Sequence, residues 1–140
     1  MRRIVTIVAV LGLGAVLLAP SASAQTRSAP AALKSVTIYI VQRVKNEPPT
    51  WGFDQMSITI PPGTIVTWKS VPGNTDGHTS TSRDDVWSSS LLNPGDTWLF
   101  TFSKAGRYHY YCRLHPWMVG EVDVVAGAPV PPAAPESPLH

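Results

Sequence analysis

The sequence predicts an all-β fold, a sandwich or barrel built from many short strands. Three observations support this prediction. Short runs of residues alternate between apolar and polar, turn-forming Pro and Gly residues separate these runs, and no run after the N-terminal segment has the apolar period of a helix. We assign one domain to residues 35–126, which is long enough to bury a core of its own.

The N-terminal residues have the features of an export signal. Met1-Arg2-Arg3 precedes a nonpolar run over residues 4–18, and small residues follow at 22–24. This pattern is typical of a secretory signal peptide, and the apolar run is shorter than the ~20 residues of a membrane span. We therefore predict a signal peptide over residues 1–24, export to the periplasm or cell exterior, and a mature chain without a transmembrane segment. General secretion is favoured over twin-arginine export.

Charge and cysteine content narrow the class of protein. Removal of the leader takes away Arg2 and Arg3, so eleven basic residues become nine, against nine acidic ones. A near-neutral mature chain lacks the basic stripe of a nucleic-acid-binding protein. The single cysteine, Cys112, cannot form an internal disulfide, and metal ligation is one reason for a thiol to persist in an oxidising compartment.

The first half of the domain follows a flexible Ala/Ser/Pro-rich lead-in over residues 25–34. Val36, Ile38 and Ile40 alternate with polar or amphipathic neighbours, which predicts a half-buried strand. A loop containing Trp51 follows, and a Pro-Pro-Gly turn then separates two further strands. The predicted ranges are a strand over 35–41, a loop over 43–55, and strands over 57–60 and 64–69.

The second half repeats this pattern around a polar loop that contains His78. Asn93-Pro94-Gly95-Asp96 and Ala105-Gly106 are turn signals, and Cys112 is expected to point inward at the end of the strand after the second turn. The predicted ranges are a polar loop over 71–85 with a short strand at 79–82, and strands over 97–102, 107–112 and 120–125. Residues 127–140 are Pro/Ala-rich and are predicted to form a disordered tail.

The loop between the last two strands contains three different metal-binding side chains. Cys112, His115 and Met118 follow one another at intervals of three residues. A thiolate, an imidazole and a thioether suit copper, whereas zinc more often takes a second Cys or a carboxylate. A fourth donor must come from elsewhere, and His78, thirty-four residues upstream (112 minus 78), is the candidate.

Motifs that extend over residues 57–125 give a family resemblance. They are Pro62-Gly63-Thr64 with Val66-Thr67-Trp68, His78, Pro94-Gly95-Asp96 with Phe100-Thr101-Phe102, Ala105-Gly106-Arg107-Tyr108, and Tyr110 to Met118. The segment resembles a plastocyanin-type cupredoxin, and its short C-x2-H-x2-M loop is most similar to that of the amicyanins. The resemblance implies a Greek-key β-sandwich of about seven to eight strands. It also implies one Cu(I)/Cu(II) ion in a type 1 site, with His78, Cys112, His115 and a long axial Met118 as ligands.

Alternative interpretations of these residues remain open from the sequence. Cys112 is otherwise a buried free thiol, His78 a polar loop residue, and Met118 core filling. His109 alternates onto the face opposite Cys112, so we expect it to face solvent, and His140 lies in the tail. The family usually has Asn after the first His, whereas this chain has Thr79, which leaves the hydrogen bonding around the cysteine sulfur undetermined.

The predicted function is that of an exported blue copper protein that carries single electrons. The sequence shows no substrate pocket, general base or open coordination position, so we expect no catalytic residues and no enzymatic activity. A periplasmic copper carrier or store is the alternative, although Met56 and Met118 are the only methionines of the mature chain. A metal-free structural sandwich is a third possibility. We expect a monomer whose redox partners dock through apolar contacts near His115, Pro116 and Trp117.

Overall fold

The computed structural model describes residues 33–44 and 46–135. The predicted signal peptide, most of the predicted lead-in, and His140 lie outside the described residues. In the part that is described, no helix is long and apolar enough to cross a membrane.

The described chain forms two four-stranded sheets, which confirms the all-β sandwich. One sheet has the strand order β2-β1-β4-β6 and the other has the order β3-β8-β7-β5. The strands are β1 (Ser35–Gln42), β2 (Trp51–Phe53), β3 (Ser57–Ile60), β4 (Thr64–Ser70), β5 (Thr81–Ser82), β6 (Thr97–Phe102), β7 (Gly106–Tyr111) and β8 (Val119–Val124), and a 3-10 turn covers Pro48–Thr50.

Strand alternation places the core between the sheets. In β4, every second residue from Thr64 to Ser70 is buried, and Trp68 has no exposed surface. Trp98 and Phe100, which belong to β6, are only partly buried but pack against the same core. The large side chains of this core are fully or almost fully buried. They include Trp68, Tyr110, Phe53, Phe102, Ile38, Ile40, Ile60 and Met118.

Two short strands differ from the sequence prediction. Residues 51–53 were expected in a loop, but they form β2, where Phe53 pairs with Ile40 of β1. The short strand expected at 79–82 is limited to Thr81–Ser82. Segments of two or three residues are too short to show a hydrophobic period, so neighbouring strands decide whether they pair.

The pairing of β5 with β7 positions the candidate site. Thr81 lies opposite Tyr111, and Ser82 lies opposite Tyr110. The segment just before β5, which contains His78, therefore runs beside the end of β7, which leads to Cys112. Two loops that are distant in sequence meet at one end of the sandwich.

The residues after β8 have no strand but contact the domain. Val130 packs against the main core, and Ala134 packs against a smaller cluster of Tyr39, Val41 and Val71. The domain boundary at residue 126 and the disorder of the tail stay predictions.

Candidate metal centre

The structure brings three of the four predicted ligands into one cluster. One donor atom each from His78, Cys112 and His115 lies within 4.8 Å of the others. The Cys112 Sγ atom is 4.0 Å from His78 Nδ1 and 3.6 Å from His115 Nδ1. His78 and Cys112 are buried, and His115 is partly exposed.

The ligand loop is folded by three successive backbone hydrogen bonds. His115 N–H donates to Cys112 C=O at 3.2 Å, and Met118 N–H donates to His115 C=O at 2.9 Å. Cys112 N–H then donates to Met118 C=O at 3.0 Å, which closes the loop. The spacing of three residues between the predicted ligands thus matches the spacing of the turns. Met118 at the end of the loop is only 1% exposed.

His78 is held by a two-way bridge to Leu92. His78 N–H donates to Leu92 C=O at 3.0 Å, and Leu92 N–H donates to His78 C=O at 2.8 Å. The preceding residue, Gly77, is packed closely enough that an added Cβ atom would lie 2.7 Å from the Leu91 side chain. A side chain at position 77 would therefore require the half-exposed Leu91 side chain to move.

Thr79 connects the His78 segment to the ligand loop. Its backbone N–H donates to Cys112 Sγ at 3.3 Å, and its hydroxyl oxygen accepts from the backbone N–H of Arg113 at 2.9 Å. The Thr81 hydroxyl lies 3.2 Å from that of Thr79. One short side chain therefore joins both loops, which resolves the hydrogen bonding that the sequence left undetermined.

Thr79→Val is expected to destabilise the metal-free protein by about 0.5–1.5 kcal/mol, because the Arg113 N–H loses its acceptor at a part-buried position. Denaturant unfolding of the metal-free protein measures this change. Thr81→Val is the matched control, since it leaves the bond between Thr79 and Arg113 intact and should cost less. Equal losses in the two variants would contradict the connecting role of Thr79.

Burial favours the neutral form of both imidazole rings, because it lowers their pKa. Desolvation, followed by the proximity of His115, lowers the pKa of His78 to about 4, and Asp76 acts in the opposite direction. Desolvation also lowers the pKa of His115. A neutral ring has a free nitrogen lone pair, which is the form that binds a metal.

The second nitrogen of His78 faces a polar group that the sequence analysis missed. Gln42 Nε2 lies 3.3 Å from His78 Nε2 and 3.2 Å from the Asp76 carboxylate, to which it donates. The backbone N–H of Gln42 donates to Asn74 Oδ1 at 3.0 Å. Gln42 ends β1, and no local sequence signal connects it to a histidine thirty-six residues later.

Trp51, which the sequence indicated only as a loop residue, has a ring that contacts both histidines. His109, by contrast, lies where it was expected. It is exposed, and its Nδ1 is 3.3 Å from the Glu121 carboxylate.

Trp117 is 48% exposed and also contacts the His115 ring, with the ring centroids 5.3 Å apart.

The donor set fits a copper ion. Nitrogen and sulfur ligands lie about 2.0–2.3 Å from a zinc ion, so a nitrogen and a sulfur atom that share an ion with bonds of this length are at most about 4.5 Å apart. The distances of 3.6 Å and 4.0 Å from Cys112 Sγ satisfy this limit. With a buried Met118 on the same loop, the chemistry of the set matches a type 1 copper site.

Comparisons with known proteins agree with this chemistry. The family model described as copper binding proteins, plastocyanin/azurin family, matches residues 43–125. Amicyanin from Paracoccus versutus is 30% identical over 70 residues, which are 48% of this chain and 53% of the relative. The chain therefore spans about half the length of the curated relative that it matches.

Solved structures give the same result for the fold. A novel purple cupredoxin from Nitrosopumilus maritimus is 31% identical, with a TM-score of 0.58, over 64% of this chain and 99% of that protein. The crystal structure of amicyanin from Paracoccus versutus is 23% identical, with a TM-score of 0.52, over 69% of this chain and 85% of that protein. At that lower identity, the likeness concerns the fold alone.

Proposed function

Because the chain belongs to the plastocyanin/azurin family of copper-binding proteins, we propose that it carries single electrons between redox partners outside the cytoplasm. The observation that supports this proposal is the convergence of His78, Cys112 and His115 from two loops, with donor atoms within 4.8 Å of one another. Copper supplies the one-electron couple between Cu(I) and Cu(II). We propose no catalytic role for any residue.

Backbone hydrogen bonds support the proposed ligand set. His78, Cys112 and His115 would hold the copper ion strongly, and Met118 would hold it weakly. The backbone bridge to Leu92 and the hydrogen-bonded turns of the ligand loop order the backbone that carries these side chains. A site that rearranges little between oxidation states exchanges electrons with a low barrier, whether its geometry is imposed by the protein or is intrinsic to copper and thiolate.

An optical redox titration tests the proposed function. The copper-loaded, oxidised protein is expected to show an intense blue colour that bleaches on addition of one electron per copper and returns on reoxidation. The similar protein from Nitrosopumilus maritimus is described as purple. The result that supports electron transfer is therefore an intense band that bleaches and returns reversibly, and not one particular colour. Bound copper without such a band would favour the copper carrier or store instead.

Met118→Leu is expected to retain copper and to raise the reduction potential, because loss of an axial donor destabilises the cupric state most. Voltammetry of the variant measures this shift. Met56→Leu is the matched control, since Met56 is 67% exposed and belongs to the loop before β3. A lower potential in Met118→Leu, or an equal rise in both variants, would contradict the axial role.

The proposed docking surface surrounds the exposed part of His115. Leu114 is 55% exposed, Trp117 is 48% exposed, and Pro116 between them is also exposed. Apolar side chains next to a partly exposed ligand offer a partner a short route to the metal. We propose that donor and acceptor bind here, and that the protein itself is a monomer.

Electron exchange between two copies of the protein is expected to depend weakly on ionic strength, because salt screens charged surfaces and not apolar ones. Proton NMR line broadening in mixtures of oxidised and reduced protein measures the rate. Leu114→Asp should slow the exchange, whereas Leu99→Asp should not, since Leu99 lies on β6. A steep loss of rate with salt in the unaltered protein would reveal a charged docking patch, for example around Asp84-Asp85 or Arg113.

Export is proposed from the leader sequence. N-terminal sequencing of the protein recovered outside the cytoplasm should begin at Gln25. A protein recovered in the cytoplasm with residues 1–24 retained would exclude the proposed location.

A further inference from the structure

A segment outside the ligand loops covers the two histidines. We call residues 48–53 the cap; it consists of the 3-10 turn Pro48–Thr50 and strand β2. Thr50 N–H and its hydroxyl both donate to Glu47 C=O, at 2.9 Å and 2.8 Å. At the other end, Phe53 pairs with Ile40 in the sheet. The cap is therefore held at both of its ends.

Trp51 is the residue of the cap that reaches the metal centre. Its ring centroid lies 5.1 Å from that of His115 and 6.0 Å from that of His78, with interplanar angles of 80° and 85°. These values are those of edge-to-face aromatic pairs, which are favourable beyond the area that they bury. The Trp51 side chain is anchored, because its Nε1–H donates to Val44 C=O at 2.9 Å.

The cap is also joined to the ligand loop. Trp117 Nε1–H donates to Pro48 C=O at 2.8 Å, although 69 residues separate the two. The Trp117 ring contacts His115 as well, so two tryptophans touch the more exposed of the two imidazoles. The hydrogen bond keeps the cap next to the loop that contains Cys112, His115 and Met118.

We propose that Trp51 is a positioning residue of the copper site, which holds both imidazole rings in place and excludes small exogenous ligands. The proposal uses the ligand set proposed above. Trp51 is only 8% exposed, so its removal would leave a space of side-chain size beside both rings. Water or a small anion could enter this space, and each ring would lose one of its packing contacts.

Azide added to the oxidised, copper-loaded protein tests the proposal. Trp51→Ala is expected to bind azide at least about tenfold more tightly than the unaltered protein, because azide then reaches the ion without displacing the Trp51 ring; tenfold in affinity corresponds to about 1.4 kcal/mol. Electron paramagnetic resonance of the cupric ion reports binding whether or not the visible band is intense. Trp51→Phe keeps an aromatic ring but loses the Nε1–H donor, so its azide affinity should be closer to that of the unaltered protein than to that of Trp51→Ala.

The controls separate positioning from loss of stability. Trp98→Ala removes a partly buried tryptophan of β6 that contacts neither histidine in the described structure, and it should leave azide binding unchanged. If Trp51→Ala does not fold, Trp51→Leu, which fills part of the space, should show an intermediate affinity. The rate of copper uptake by the metal-free protein should also rise in the variant without the ring.

Two outcomes would overturn the proposal. One is azide binding of equal strength in Trp51→Ala, Trp51→Phe and the unaltered protein, and the other is an equal gain in Trp51→Ala and Trp98→Ala. Failure of the electron-carrier function is recognised separately, because it appears in the unaltered protein as bound copper without a reversible one-electron step.

Discussion

Replacement of Cys112 by Ser is expected to abolish the intense visible band of the copper-loaded protein. The band arises from charge transfer between a thiolate sulfur and the cupric ion, and a hydroxyl oxygen provides no such transition. Cys112 is fully buried, and its sulfur lies 4.0 Å from His78 Nδ1 and 3.6 Å from His115 Nδ1. No other residue of the chain has a thiol.

The absorption spectrum of the copper-loaded variant measures this effect, and circular dichroism of the metal-free form establishes that the variant is folded. Serine is nearly the same size as cysteine, so the core should tolerate the change. His109→Ala is the control for loss of a potential ligand, since His109 is exposed on β7 and should leave the band intact. A Cys112→Ser variant with an undiminished band would exclude Cys112 as the ligand.

Trp68→Ala is expected to cause the largest loss of stability among the variants considered, about 3–5 kcal/mol. Trp68 has no exposed surface, and its ring lies 5.4 Å from that of Tyr110 and 5.6 Å from that of Trp98. Its removal would leave a cavity between the two sheets. Against a typical total of about 5–15 kcal/mol, such a loss is a large fraction of the free energy of unfolding.

Urea unfolding of the metal-free protein measures the change without the contribution of bound copper. Trp98→Ala is the matched control, because Trp98 pairs with Trp68 in the sheet register but is only partly buried. The control should lose less, since less of its surface leaves water on folding. Equal losses in the two variants would mean that the core is not centred on Trp68.

The sequence by itself determined the regular strands and the ligand loop. Alternation in residues 35–41, 57–60 and 64–69 is a local property, and each run became a strand with bounds changed by one residue at most. The spacing of Cys112, His115 and Met118 is also local. Each of the successive turns of the loop spans three residues. The order of the three ligand types can therefore be recognised from the sequence without any tertiary contact.

Only the tertiary structure decided which distant residues meet. The register between β5 and β7 brings His78 to Cys112, and the pairing of β2 with β1 brings Trp51 to the histidines. The hydroxyl of Thr79 joins the two loops only because Arg113 lies within hydrogen-bond distance. These contacts depend on the packing of whole sheets, to which residues far apart in the chain contribute together. The apolar period of one short segment therefore does not predict them.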